Sequence, residues 1–206
     1  MSKRLIHERA DKRVLRTQES LRSALMELMI ERGYEQISVQ DVLDRANVGR
    51  ATFYLHYRSK EDLLKCALDV LRDLLVREWD FSPSENTETL PLGFSSAFFR
   101  HVDSHRLLYR AVVGRESGMI VDRQMRRLLA DLVRMEVLSL QRKEQANNET
   151  EIATQYLVGA LMSLVTWWLD RNIRIGADAL AGSFQRMSSP ALLALINLNK
   201  RGRTDR

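Results

Sequence analysis

Within the short run Arg50-Ala51-Thr52-Phe53-Tyr54-Leu55-His56, several side chains have the chemistry to meet a nucleic acid. The Arg50 guanidinium can donate two parallel hydrogen bonds to guanine O6 and N7. The Ala51 methyl can lie on a thymine methyl, and Gln40 can reach an adenine or another base edge. Tyr54 is an aromatic side chain on the polar side of this run, where a base or a backbone would give it a partner. Such groups read a sequence only when a rigid helix carries them into the major groove and phosphate contacts hold its register.

The surrounding residues supply that helix. Ser38, followed three residues later by Asp41, is a capping-box-like start, with a side-chain oxygen for free backbone N–H groups. Val39, Val42, Leu43 and Ala46 then recur at i, i+3, i+4 and i+7, the apolar face of one helix. Asn47-Val48-Gly49 interrupts the pattern with residues that tolerate the left-handed backbone of a sharp turn, and Val48 can fill the gap between helices. In the next helix Phe53 and Tyr57 point inward, which leaves Arg50, Ala51, Thr52, Tyr54 and His56 on the exposed side. The pattern is a helix-turn-helix with a recognition helix. Ser59 and Asp62 repeat the capping logic ahead of Leu63, Leu64, Ala67, Leu68 and Leu71, and upstream Leu21, Leu25, Leu28 and Met29 line another amphipathic helix that Gly33 stops.

These residues resemble the TetR family of bacterial transcriptional regulators. The resemblance is carried by Glu31-Arg32-Gly33-Tyr34, Ser38-Val39-Gln40-Asp41-Val42, Val48-Gly49-Arg50-Ala51-Thr52-Phe53-Tyr54-Leu55-His56-Tyr57 and Ser59-Lys60-Glu61-Asp62-Leu63-Leu64. It is close over 13–65 and extends beyond only in length and helical pattern. It implies phosphate roles for Thr52, Tyr54, His56 and Lys60, with a base contact also open to Tyr54, and a backbone contact for Thr17 at a helix start. It further implies a homodimer on a pseudo-palindromic double-stranded DNA operator, and repression relieved by a small-molecule effector held in the helical body. The alternative is a co-activator whose body binds another protein.

The remainder of the chain fits that frame. With 206 residues, 45% hydrophobic and 29% charged, the chain can bury a sizeable core, and its net charge of +5 weakly favours a polyanionic partner. No sustained period-two alternation occurs, so the expected fold is all-α. Helices are expected over 17–32, 39–46, 50–56, 60–79, 91–103, 105–114, 118–145, 150–173 and 178–198, with a Pro-interrupted loop over 80–89. The domains expected are a basic N-terminal arm at 1–16, a three-helix helix-turn-helix DNA-binding domain at 17–60 and a larger helical ligand-binding and dimerisation domain at 61–206. Lys3, Arg4, Arg9, Lys12, Arg13 and Arg16 make the arm basic; it reads equally as a DNA-reaching arm or a solvated terminus. The basic run Lys200 to Arg206 reads as a solvated tail.

Two apolar stretches, Tyr156 to Leu169 and Ala191 to Leu198, carry more apolar surface than one core face needs. They match the place of the family's dimer helices, with Leu161, Val165, Leu192, Leu195 and Ile196 as interface candidates. The effector pocket that the resemblance implies has candidate walls in Phe94, Phe98, Phe99, Leu108, Tyr109, Val112, Tyr156, Met162 and Trp168, each of which would also serve as plain core. Arg100, Arg106, Arg110 and Arg115 hint at an anionic ligand or are surface arginines.

No Walker loop, nucleotide-binding glycine fingerprint, HExxH or Gly-x-Ser-x-Gly is present, so no catalytic activity and no cofactor are expected. His101 and His105 have a helical zinc spacing but no further Cys or His cluster to complete a site, and metal is not expected. The single Cys66 reads as a buried structural thiol. No signal peptide opens the chain and the longest apolar run is short for a bilayer, so a cytoplasmic protein without a membrane partner is expected.

Overall fold

The computed structural model describes residues 2–80, 91–113, 118–141, 147–171 and 173–201, the side chains of 2–11, 80, 140–141 and 193–201 excepted. Among the described residues the fold is all-α: α1 (Ser2–Arg32), α2 (Val39–Ala46), α3 (Arg50–His56), α4 (Lys60–Asp80), α5 (Phe94–Ser104), α6 (Arg106–Val112), α7 (Met119–Gln141), α8 (Asn148–Asp170) and α9 (Ala177–Arg201). A single 3-10 turn at Tyr34–Gln36 joins α1 to α2. The expected loop over 80–89 lies, apart from Asp80 at the end of α4, outside the described residues.

The chain divides into two compact units, Met1–Val70 with Ala111–Asp122, and Leu71–Arg110 with Arg123–Arg206. The helical body expected from residue 61 therefore gives up its first residues. Leu63 and Leu64, in the opening turns of α4, are buried and belong to the first unit with the helix-turn-helix. The basic stretch before Thr17 is helical, the opening turns of α1.

In the first unit, Leu21, Leu25, Leu28 and Met29 of α1, Val42 and Leu43 of α2, Phe53, Tyr57 and Leu63 make up a buried core. α1 stops because Gly33 adopts φ 80°, a left-handed backbone that glycine reaches without Cβ strain. The connector turns back inside, burying Tyr34 and Ile37. Outside the core, Arg45 of α2 grips α1 through bidentate bonds of 2.9 and 2.7 Å to Glu31 and a third of 3.1 Å to Glu27.

In the second unit, α5 packs along α9, and α8 packs against α9. Their contact buries Phe98, Phe99, Leu157, Leu161, Met162, Val165, Trp168, Ala181 and Phe184. Asn147 caps α8 by accepting the Thr150 N–H at 2.9 Å, which places the helix start within the gap expected between 145 and 150. At 23 residues, α8 is long and apolar enough by length and composition to cross a membrane, unlike the short apolar run counted from sequence. One side of it, with Leu157, Leu161, Val165 and Trp168, is buried against the rest of its unit.

Candidate nucleic-acid interface

The turn that presents α3 is built as its sequence dictates. Ser38 Oγ accepts the Asp41 N–H at 3.2 Å while Asp41 Oδ2 accepts the Ser38 N–H at 2.8 Å, a reciprocal capping box. These bonds, the Ser38 hydroxyl first, hold the Asp41 carboxyl below the usual carboxylate range. Asn47 takes the left-handed conformation (φ 52°, ψ 48°), and Val48 N–H closes on Leu43 C=O at 3.1 Å. Gly49 does not share it: its φ is −69°, and a Cβ there would meet nothing within 4 Å. The left-handed residue of this turn is the asparagine.

α3 is clamped from behind. Phe53 is fully buried, with ring centroids 5.6 Å from Tyr57 and 5.3 Å edge-on from Tyr54. Tyr57 is buried as well, which pushes its phenol up to about 12, and it lies 3.7 Å from Cys66 Sγ. Cys66 itself is half-buried.

The candidate readers distribute accordingly. Arg50 and Ala51 are exposed, Tyr54 is 53% exposed, and Thr52 and His56 are half-buried on the same helix. Gln40 is exposed at the start of α2, its amide donating to Asp44 at 2.8 Å. Thr17 lies partway along α1 rather than at a helix start, and its hydroxyl donates to Arg13 C=O at 3.0 Å. Lys60 is engaged inside the unit. Its ammonium donates to Ile37 C=O at 2.6 Å and Tyr34 C=O at 2.8 Å, and sits 4.2 Å from the Tyr34 ring centre. Leu55, 80% exposed on α3, was not among the candidates; its place two residues after inward Phe53 was the available signal.

In the second unit Phe98, Phe99, Tyr109 and Trp168 form one cluster with Phe184, and Phe94 pairs with Trp79. Phe98 lies 6.1 Å from Tyr109 and 6.2 Å from Phe99, and Phe99 lies 6.2 Å from both Trp168 and Phe184. Met162 is buried too, whereas Tyr156 is 62% exposed and Val112 falls in the first unit. Tyr109's hydroxyl is buried without a partner among the described residues, and burial raises its pKa.

The arginines reach protein groups: Arg100 pairs with Glu78 and Asp178, Arg106 with Asp103, and Arg110 donates twice to Leu169 C=O. Arg115 is outside the described residues.

The interface candidates need correcting. Leu161, Val165 and Leu192 are buried within one chain, so their surface is already spent on its own core. Among the described side chains, the outward large apolar residues are instead Ile152, Tyr156 and Trp167 of α8 and Met187 of α9. Periodicity showed that α8 was apolar on more than one side but not which side faced inward. The side chains of Leu195 and Ile196 lie outside the described set.

His101 and His105 do not share a helix: α5 ends at Ser104 and α6 begins at Arg106. Their rings stack at 4.2 Å, and burial first, then His105, lowers His101 to about 4. No group of three metal-ligating side chains occurs among the described residues.

A short exposed helix bearing Arg50, Ala51 and Tyr54, clamped by Phe53 and Tyr57 and preceded by a capped helix and an Asn turn, defines a helix-turn-helix DNA-binding protein. Models of the bacterial regulatory proteins of the tetR family and of a transcriptional regulator C-terminal region match residues 21–67 and 91–190. The chain belongs to the TetR family of bacterial transcriptional regulators.

It is 27% identical over 104 residues to the HTH-type dhaKLM operon transcriptional activator DhaS of Lactococcus lactis, covering 49% of this chain and 51% of that protein. It is 26% identical over 121 residues to the HTH-type transcriptional repressor KstR2 of Mycolicibacterium smegmatis, covering 57% and 54%. The chain thus spans about half the length of these two relatives. A TetR-family regulator of Syntrophomonas wolfei has the same fold, with a TM-score of 0.62 at 15% identity over 86% of this chain and 95% of that one.

Proposed function

We propose that the protein is a homodimeric regulator that binds a pseudo-palindromic operator and releases it when a small-molecule effector occupies the helical body. The observation that carries this reading is the exposed row Arg50, Ala51 and Tyr54 on a helix fixed from behind by Phe53. Arg50 and Ala51 read bases with Gln40. Thr52, Tyr54 and His56 serve phosphates, with Thr17 as a further backbone contact, while Lys60 holds the connector through the Ile37 and Tyr34 carbonyls. One head covers a short half-site, so two are needed, spaced about 34–36 Å or a multiple of it. The exposed stripe Ile152, Tyr156 and Trp167 on α8, with Met187, supports pairing of two copies there. An effector acts only through its unequal affinity for the DNA-binding and released arrangements.

Repression is the primary reading, and the relative named a repressor supports it. The relative named an operon activator supports a second, in which the bound protein promotes transcription and its body engages a partner protein. Selection from a random duplex library at two salt concentrations tests the core of the proposal. Recovery of a palindromic motif, degraded by Arg50→Ala, is the expected result. Binding without a motif and with a steep salt slope would reduce the head to a basic surface.

A further inference from the structure

The second unit buries a carboxylate that no described residue neutralises. Glu136 of α7 is 5% exposed. Its Oε1 accepts the Leu92 N–H at 2.6 Å, and its Oε2 is buried with no hydrogen-bond partner among the described residues. Burial, then that one N–H, are the influences on its protonation, and no described lysine, arginine or histidine adds to them. A buried carboxylate without a counter-charge is among the costlier groups a core can hold, because the interior replaces little of its lost hydration. Tyr109 and Ser189 also bury an unpartnered hydroxyl in this unit, but a neutral hydroxyl costs far less.

The residue Glu136 holds is itself unusual. Leu92 is fully buried and has φ 71°, a left-handed backbone that strains a non-glycine residue. Its peptide is gripped from both sides: Glu136 takes the N–H, and its C=O accepts Gln185 Nε2 at 3.1 Å and Ser95 N–H at 3.0 Å. The next residue, Gly93, has its α-carbon against the Trp79 ring, where an added Cβ would lie 3.0 Å from Cδ1, and Trp79 meets Phe94 edge-on at 6.3 Å. Leu92, Gly93 and Phe94 thus join a strained peptide held by the Glu136 acid to the paired rings of Phe94 and Trp79. That combination suits a positively charged head on an apolar body.

We propose that Glu136 anchors an effector site for a small organic cation, a protonated amine on an alkyl or aryl body, with Oε2 accepting its N–H. The inference deepens the effector-responsive reading and rests on it for its regulatory consequence. The ammonium supplies the donor and the counter-charge that Oε2 lacks, while Leu92 N–H keeps Oε1 oriented. Burial holds the Glu136 carboxyl up to about 7. An ammonium binds the ionised form, so binding expels a proton near neutral pH and tightens as the pH rises from 6 to 8, about tenfold over that interval.

The experiment is calorimetric titration of the full-length protein, without DNA, with hexylamine and benzylamine and with hexanol, benzyl alcohol and hexanoate as controls. Expected are binding by the amines in preference to the controls, release of a proton, and affinity about tenfold greater at pH 8 than at pH 6. Glu136→Gln retains an acceptor for Leu92 N–H, and it is expected to lose both the pH dependence and at least tenfold in amine affinity. Equal binding of alcohol and amine, unchanged affinity in the variant, or no amine binding overturns the proposal. Should the variant fail to fold, proton release and pH dependence in the unaltered protein decide the matter. Operator selection measured without amine is independent: a motif without amine binding sinks only this site, and amine binding without a motif sinks only the regulator.

Discussion

The two units place their distinctive groups on opposite sides of their surfaces. In the first, Arg50, Ala51 and Tyr54 stand in solvent while Phe53, Tyr57 and the apolar face of α1 make the interior. In the second, the ionisable groups that depart from ordinary core chemistry are inside: the buried Glu136 carboxyl and the half-buried His101. The difference has a physical reading. A surface that meets a hydrated polyanion can keep its charges wet at little cost, so the core behind it is free to supply rigidity. A group buried for recognition must carry its desolvation cost until something pairs with it.

The largest test of this contrast is Phe53→Ala. Removing a fully buried aromatic that backs α3 is expected to cost about 3–5 kcal/mol and to abolish DNA binding, with the change read as a lowered melting temperature of the first unit. If DNA binding survived at full strength, α3 would not depend on that clamp.

The second test reverses the sign of acid stability inside the second unit. Glu136 has its folded value raised from 4.5 to about 7, so protonation favours the folded state. This contribution is complete below 4.5 and is lost as pH rises through 7, to an extent of about 3 kcal/mol. His101, lowered from 6.5 to about 4, does the opposite: its contribution is present above 6.5 and lost as pH falls through 4. The two offset one another between pH 6.5 and 4.5. Denaturant titrations are expected to show Glu136→Gln more acid-sensitive than the parent, and His101→Phe less so. Parallel curves for all three would remove the buried-charge side of the comparison.

A smaller effect is expected from Arg50→Lys, which keeps the charge and loses the planar fork. Base discrimination should fall by about 1–3 kcal/mol at one position while the salt slope stays the same. The smallest concerns Lys60, whose ammonium is already bonded to the Ile37 and Tyr34 carbonyls. Lys60→Ala is expected to destabilise the first unit by about 1–2 kcal/mol and to leave the salt slope unchanged. A slope lower by about one unit would return Lys60 to the phosphate contacts that the family resemblance implies.

The first unit was largely legible because its signals are local. A Ser-x-x-Asp pair, a turn asparagine and two inward aromatics four residues apart lie within one short segment, and each acts on backbone a few residues away. The helix ends followed: α2 and α3 occupy the expected 39–46 and 50–56. The second unit was legible as helices but not as a site. Its interface candidates Leu161, Val165 and Leu192 are buried within one chain, because an apolar pattern on several faces of α8 cannot say which face meets α9. Phe184 joined the aromatic cluster from a distant helix, with no local pattern to mark it.

The amino-acid sequence by itself determined the helical class, the helix-turn-helix and which α3 side chains are exposed as candidate readers, since caps, turns and helical periodicity act over a few residues. Tertiary structure alone decided that Lys60 bonds the connector's carbonyls, that Tyr156 faces outward, and that Glu136 meets Leu92, forty-four positions away in the chain. Contacts of that kind depend on which helix faces pack together, and no short stretch of sequence contains that information.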